Sequence, residues 1–322
     1  MNMKGTIKKK ILGVLAIAGA LAVIVWAVGC RKNGNSNAGV SSTVSTTDTG
    51  SASKAGFSAE FRTEPSEVAA GKPTKLIISI KDANGAVVRD LDLSHEKPLH
   101  LIVVSSDLSE FYHVHPESQP EGTYSGVQTF PNSGHYKLYA DFTPPNGSQV
   151  VETFDLNVTG LARSSLALAP DSTATKTEGG LRITLQFDKP LRSGDEVMLN
   201  FAIFDERTGT PVTDLERYLG APAHVVIISG DTNNYLHVHP TEKGKVNHDT
   251  MAGTKGMEGM DHSKAAQANG EKSPISSEIS AHTKFPRRGL YKVWAQFQRG
   301  GRVITVPFVL SVAAGSPGSD RE

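Results

Sequence analysis

From Phe57 onward, short apolar runs alternate with clusters of turn-forming residues. Leu76-Ile77-Ile78-Ser79-Ile80 reads as a strand, Asp82-Ala83-Asn84-Gly85 carries the Asn-Gly hairpin signal, and Val87-Val88 begins the return. Runs of this kind recur at roughly even spacing, and no stretch has the period of an amphipathic helix. The pattern predicts an all-β chain of antiparallel sandwiches. Two segments break it. Residues 11–29 are uncharged and mostly apolar, whereas residues 31–56 are Ser, Thr, Gly and Asn with almost nothing to bury, which predicts a flexible tether.

An internal repeat organises the rest. Pro98-Leu-His-Leu-Ile-Val-Val-Ser-Ser-Asp-Leu-Ser-Glu-Phe-Tyr-His-Val-His-Pro116 aligns without a gap on Pro222-Ala-His-Val-Val-Ile-Ile-Ser-Gly-Asp-Thr-Asn-Asn-Tyr-Leu-His-Val-His-Pro240. Phe130-Pro-Asn-Ser-Gly134-His-Tyr-Lys-Leu-Tyr-Ala-Asp-Phe142 then aligns on Phe285-Pro-Arg-Arg-Gly289-Leu-Tyr-Lys-Val-Trp-Ala-Gln-Phe297. Each copy closes on an alternating strand, 152–158 and 306–312. The expected organisation is an export segment over 1–30, a linker over 31–56, one sandwich over 57–159 and a join over 160–180. A second sandwich covers 181–313, with an insertion near 241–276, and a tail follows over 314–322. The Gly-x-Tyr at Gly134/Tyr136 and Gly289/Tyr291 resembles the tyrosine corner of immunoglobulin-like Greek-key domains. Phe130, Tyr136, Tyr139, Phe142 and their counterparts are expected to face sheet interiors.

Composition adds little about partners. Lys+Arg and Asp+Glu both number 33 in 322 residues, so no basic field points to nucleic acid. The N-terminus says more. Lys8-Lys9-Lys10 precedes the apolar stretch Ile11–Gly29, as in an export signal whose basic flank stays cytoplasmic. Ala27-Val28-Gly29-Cys30 resembles a bacterial lipobox, with Ala27 where Leu is usual. Two readings follow: lipidation at Cys30, or an uncleaved signal anchor. Both place the remaining chain outside the cytoplasmic membrane, held there by lipid or helix. Cys30 is the only cysteine, so no disulfide forms within the chain.

The candidate chemistry lies in the histidines. His100 and His113 are 13 apart, as are His224 and His237, and His115 and His239 follow two residues later. Residues i and i+2 of a strand share a face, so His-Val-His projects two imidazoles to one side and Val114 or Val238 to the other. The turn-like stretches 105–108 and 229–232 fold the first histidine back. A register pairing His100 with His113 puts three imidazoles on one face, whereas a one-residue slip removes one. Pro116 and Pro240 are expected to end the strand. The expectation is a three-His site in each copy, suited to copper or zinc with a fourth position open. A purely structural role for these histidines is the competing reading. His95, His135 and His282 have no His counterpart and are expected to lie outside the sites.

The distance from the last histidine to the shared Phe is 15 in the first copy and 46 in the second. The extra residues hold His248, Met251, Met257, Met260 and His262, where a loop gives methionine no core to fill. Thioether with imidazole suits Cu(I). This stretch resembles the Met-Asp-His-Ser segments of bacterial copper-resistance proteins. The His-Val-His-Pro and Phe-Pro-x-x-Gly-x-Tyr pair resembles uncharacterised exported bacterial domains that occur in one or two copies. The expected function is membrane-tethered capture, buffering or delivery of a transition metal, copper foremost, with an efflux or oxidase-assembly protein as the expected partner. A non-catalytic envelope scaffold is the alternative, and a three-His zinc enzyme stands third because no motif supplies a general base.

Overall fold

A computed structural model describes residues 56–238, 240–242 and 274–315. Among these the chain is all-β, in two tandem antiparallel sandwiches. The first repeat holds β1 (Phe57–Glu64), β2 (Val68–Ala69), β3 (Pro73–Asp82), β4 (Leu99–Ser105), β5 (Phe111–Val114), β6 (Glu117–Ser118), β7 (Thr123–Thr129), β8 (Gly134–Phe142) and β9 (Val150–Thr159). They form a β1-β3-β7-β6 sheet and a β2-β9-β8-β4-β5 sheet. The expected Asn-Gly turn closes β3, with Gly85 at φ 81 and its N–H donated to Asp82 O.

The second repeat holds β10 (Thr175–Glu178), β11 (Leu181–Phe187), β12 (Glu196–Asp205), β13 (Leu215–Glu216) and β14 (His224–Ser229). It continues through β15 (Tyr235–Val238), β16 (Thr241–Glu242), β17 (Glu278–Lys284), β18 (Gly289–Arg299) and β19 (Arg302–Val312). One sheet runs β10-β11-β12-β17-β16, and in the other β18 lies between β19 and β14-β15. Strand β10 falls inside the stretch expected to be a plain join. The rest of that join is anchored. Arg163 donates to both carboxylate oxygens of Asp107 at 2.7 and 2.9 Å, and Asp171 accepts the Val309 N–H at 2.8 Å.

Each sandwich has its own core, and alternation along the strands assigns it. Leu99, Leu101 and Val103 of β4 pack with Tyr136, Leu138, Ala140 and Phe142 of β8. Val225 and Ile227 of β14 pack with Tyr291, Val293, Ala295 and Phe297 of β18. Tyr136 and Tyr291 donate to the carbonyls four residues upstream, at Asn132 and Arg287, over 2.9 and 3.0 Å. That is the bond a tyrosine corner requires.

A third cluster belongs to neither core. Ile102, Val104, Leu108 and Tyr139 of the first repeat are buried against Val226, Ile228 and Trp294 of the second. Tyr139 was expected in a sheet interior; it instead faces the other repeat, because its parity on β8 is opposite to that of Tyr136 and Phe142. The contacts are reciprocal, as in an isologous interface. Phe111 stacks on Trp294 and Tyr235 stacks on Tyr139, each with ring centres 4.7 Å apart. Tyr139 Oη donates to Thr232 O at 2.6 Å, and Lys292 Nζ donates to Leu108 O at 2.7 Å. All seven residues of β4 and all six of β14 are buried, so both faces of these strands are covered.

Candidate metal centre

The β4-β5 hairpin pairs Leu101 with Val114 and Ile102 with His113, so His100 falls level with residue 115 rather than 113. This differs from the expected register by an even step. Parity survives, and His100 and His113 share a face with Ile102. The β14-β15 hairpin is the same, with Val225 opposite Val238 and Val226 opposite His237. Val114 and Val238 turn inward to their own cores. Strands β5 and β15 end at Val114 and Val238, next to the prolines two residues on.

The face shared by the histidines is the inter-repeat face. The expectation of two separate sheet sites therefore fails: both sets meet in one cluster. Ring centres of His100, His113, His224 and His237 lie 5.1 to 6.2 Å apart in all six combinations. His100, His113 and His237 each offer a ligand atom within 4.8 Å of the other two. His115 joins the cluster at 4.4 Å from His113 and 5.1 Å from His100. His95, expected outside, stands edge-on to His224 at 5.3 Å. His135 is exposed, and His282 is half-exposed and pairs with Glu196 at 2.9 Å. His239, the methionine segment with His248, Met251, Met257, Met260 and His262, and Cys30 all lie outside the described residues.

Four acceptors set the protonation of the four central rings. His100 Nε2 is 2.9 Å from Ser94 O, and His224 Nε2 is 3.0 Å from Tyr218 O. A carbonyl only accepts, so each of these nitrogens carries the hydrogen. Ser94 and Tyr218 occupy matching two-residue turns, Ser94–Lys97 and Tyr218–Ala221, whose central residues all have positive φ. Across the interface, His113 Nδ1 donates to Gln296 Oε1 at 2.7 Å, while Gln296 Nε2 donates to Thr305 Oγ1 at 3.1 Å. His237 Nδ1 donates to Asp141 Oδ2 at 3.0 Å. Gln296 and Asp141 occupy equivalent positions in β18 and β8, so each repeat orients a histidine of the other.

Each ring therefore has an outward partner, and its second nitrogen faces inward. The inner nitrogens are His100 Nδ1 and His113 Nε2, 3.0 Å apart, and His224 Nδ1 and His237 Nε2, 3.5 Å apart. Two facing lone pairs at such distances repel unless a proton or a cation lies between them. For a tetrahedral ion with ~2.0–2.1 Å bonds to nitrogen, neighbouring ligand atoms are ~3.3 Å apart and ring centres about 5 Å apart. The nitrogen pair within each repeat, at 3.0 and 3.5 Å, brackets the first value, whereas the ring centres, at 5.1 to 6.2 Å, lie at or above the second. A bound carbonyl or carboxylate behind each imidazole is the arrangement that orients metal-ligating histidines.

Burial favours the neutral rings such a site needs. It pushes the His100 and His237 imidazoles below their ordinary range and His113 down to about 4. His100 and His224 are 1% and 0% exposed. Asp141, 4% exposed, is pushed above the usual carboxylate range by burial, against the opposing bond from Gln149 Nε2 at 2.7 Å. With His237 neutral, the contact to Asp141 is a hydrogen bond rather than an ion pair. Glu110, the acid nearest the histidines in sequence, instead accepts from Tyr112 and Asn132 within its own repeat and shares the single Tyr136 hydroxyl hydrogen with Asn132 O. Asp141 and Gln296 were missed by the sequence reading. The available signal was a polar residue in an otherwise buried run, at the same aligned position in both copies.

Residues 53–160 and 175–314 match the model of one family, described as a domain of unknown function, DUF8832. The chain belongs to that family. No curated protein matches it. Among solved structures it is similar to FdeC, a broadly conserved Escherichia coli adhesin, at 17% identity over 79% of this chain and 64% of that one, with a TM-score of 0.24. It is also similar to a putative membrane-anchored protein from Corynebacterium diphtheriae, at 13% identity over 81% and 59%, with a TM-score of 0.21. Invasin, a bacterial integrin-binding protein, matches at 12% identity over 78% and 39%, with a TM-score of 0.20. The chain spans less than two thirds of each of these proteins.

Proposed function

We propose that this DUF8832 protein binds one transition-metal ion between its two repeats, copper foremost and zinc second. His100 and His113 come from one repeat, and His224 and His237 from the other. The observation that carries this reading is the group His100, His113 and His237, drawn from both repeats, whose ligand atoms lie within 4.8 Å of one another and whose rings are held from behind by Ser94, Gln296 and Asp141. Imidazole suits both metals. The neighbouring His248, Met251, Met257, Met260 and His262 in the sequence favour copper. His224 stands beside this group, its ring centre 5.7 to 6.2 Å from the other three, and a fourth imidazole ligand there would favour capture or buffering over hydrolysis, since catalysis needs an open position. The basic-apolar N-terminus and Cys30 support a location outside the cytoplasmic membrane, held by lipid or by an N-terminal helix. Delivery to a metal-efflux or oxidase-assembly protein would follow from that location.

A second reading rests on the interface itself. The two reciprocal aromatic stacks and the buried apolar cluster join the repeats without any ion. On that basis the protein is an envelope scaffold whose histidines are structural, a role compatible with its likeness to surface proteins. Titrating detergent-solubilised full-length protein with Cu(II), Cu(I) and Zn(II) separates the two. One ion bound per chain, lost on either His113→Ala or His237→Ala, is the expected result. Two ions lost independently would restore separate sites, and no tight binding would leave the scaffold.

A further inference from the structure

His100, His113 and His237 converge, and an imidazole that ligates a metal is a neutral ligand. Imidazole suits copper and zinc alike, so the type of ligand does not choose between them. Charge does. The group stands out of water: His100 and its neighbour His224 are buried, and the His237 side chain is 1% exposed. The cost of taking an ion out of water rises with the square of its charge, so a divalent ion costs about four times as much as a monovalent one of equal size. Negative charge beside the site offsets that cost. Among the described residues, the acid hydrogen-bonded to this group is Asp141, which is itself buried. Its two oxygens meet three donors: Gln149 Nε2 at 2.7 Å, His237 Nδ1 at 3.0 Å and Tyr235 Oη at 3.2 Å. An ionised carboxylate, which only accepts, suits such a set. Its charge also acts on His100 and His113. The counterpart of Asp141 in the other repeat, Gln296, is uncharged. On the turn after Ser94, Glu96 is exposed and screened by water, and Lys97 has the sign of the ion. The surroundings therefore supply one buried negative charge.

We propose that the site between the repeats selects a monovalent ion, Cu(I), over Zn(II) and Cu(II), with Asp141 as its single balancing charge. This rests on the metal-binding reading above. Cu(I) and Asp141 together make a neutral buried unit. Zn(II) or Cu(II) leaves one positive charge uncancelled there, on top of the larger cost of dehydration. Asp141 is then the residue that sets which ion is held, although it touches the site only through His237. Gln296, at the same place behind His113, keeps a second charge out.

The test is competition titration of the detergent-solubilised full-length protein under argon, with Cu(I), Zn(II) and Cu(II) each supplied from a chromophoric chelator. Binding that both His113→Ala and His237→Ala abolish belongs to this site. For that component, Cu(I) is bound about 100-fold more tightly than either divalent ion, equivalent to ~2.8 kcal/mol. Asp141→Asn removes the balancing charge, and Gln296→Glu adds a second one. A divalent ion feels either change twice as strongly as Cu(I) does. The preference for Cu(I) over Zn(II) therefore widens by about tenfold in Asp141→Asn and narrows by a similar factor in Gln296→Glu. A loosened fold would not move the ratio in opposite directions in the two variants. Zn(II) or Cu(II) bound as tightly as Cu(I) overturns the inference and leaves the metal-binding reading standing, as does a ratio that neither variant moves. No histidine-dependent binding of any of the three ions overturns the reading itself, and this inference with it.

Discussion

The two halves of the histidine cluster have the same geometry and different charge. In one half, His113 leans on the neutral amide of Gln296; in the other, His237 leans on the carboxyl of Asp141. Around them the pairing is conserved in kind: turn carbonyls behind His100 and His224, an aromatic stack on each side, and one cross-repeat bond to each hairpin turn. Packing and hydrogen-bond direction thus constrain both copies equally. The charge behind the ring has diverged, since an amide oxygen and a carboxylate oxygen both accept the imidazole N–H. One carboxylate beneath four neutral imidazoles leaves the site with less negative charge than two would.

That comparison can be broken or sharpened experimentally. The largest effect should come from its apolar frame. Trp294→Ala removes the ring stacked on Phe111 and leaves a void in the inter-repeat cluster, costing about 3–5 kcal/mol, whereas Tyr139→Ala on the other side also loses the bond to Thr232 O. Chemical denaturation of both variants measures it. A loss below ~1 kcal/mol for each would mean that the repeats hold together by other means.

The charge asymmetry comes next. Asp141→Asn should weaken metal binding by about 10–100-fold while leaving the fold intact, because the amide still accepts from His237 Nδ1. Gln296→Glu should act in the opposite direction and less strongly, since Thr305 then receives no amide N–H. Equal affinities for the two variants and wild type, by competition titration, would show that the carboxylate tunes nothing.

The smallest effect is the pH dependence of the metal-free protein. His113 is held at about 4 by burial, below the ~6.5 of an unfolded histidine. The unfolded chain therefore binds more protons across that window. The stability from the buried neutral ring is present above about pH 6.5 and is lost as pH falls towards 4. Thermal melts of metal-free protein should hold level from pH 8 to 7 and drop below 6.5. His113→Asn should flatten that slope. An unchanged slope in this variant would place the acid sensitivity elsewhere, with His237 and Asp141 the next groups to test.

Much of this was written in the chain. Alternating strands, turn chemistry and the internal repeat gave two β-sandwiches, and the Gly-x-Tyr motifs gave their corners, because these depend on residues a few positions apart. The spacing of His-Val-His put its two histidines on one face for the same reason: strand parity is local. The hairpin register lies an even step from the His100–His113 pairing that would put three imidazoles on one face, and an even step keeps the parity. There was also an unused sign. Leu99 to Val104 is apolar at nearly every position, and such a run belongs to a strand covered on both faces.

What the tertiary structure alone decided is which surface covers that second face. It is the matching face of the other repeat, so the two expected three-His sites meet in one cluster that draws His100, His113 and His237 together. Asp141 and Gln296 reach histidines 96 and 183 residues away in the chain. Strand alternation says that a side chain points away from its own core, but not what it will meet there. That is fixed by the packing of one sandwich on the other, through contacts no local pattern encodes.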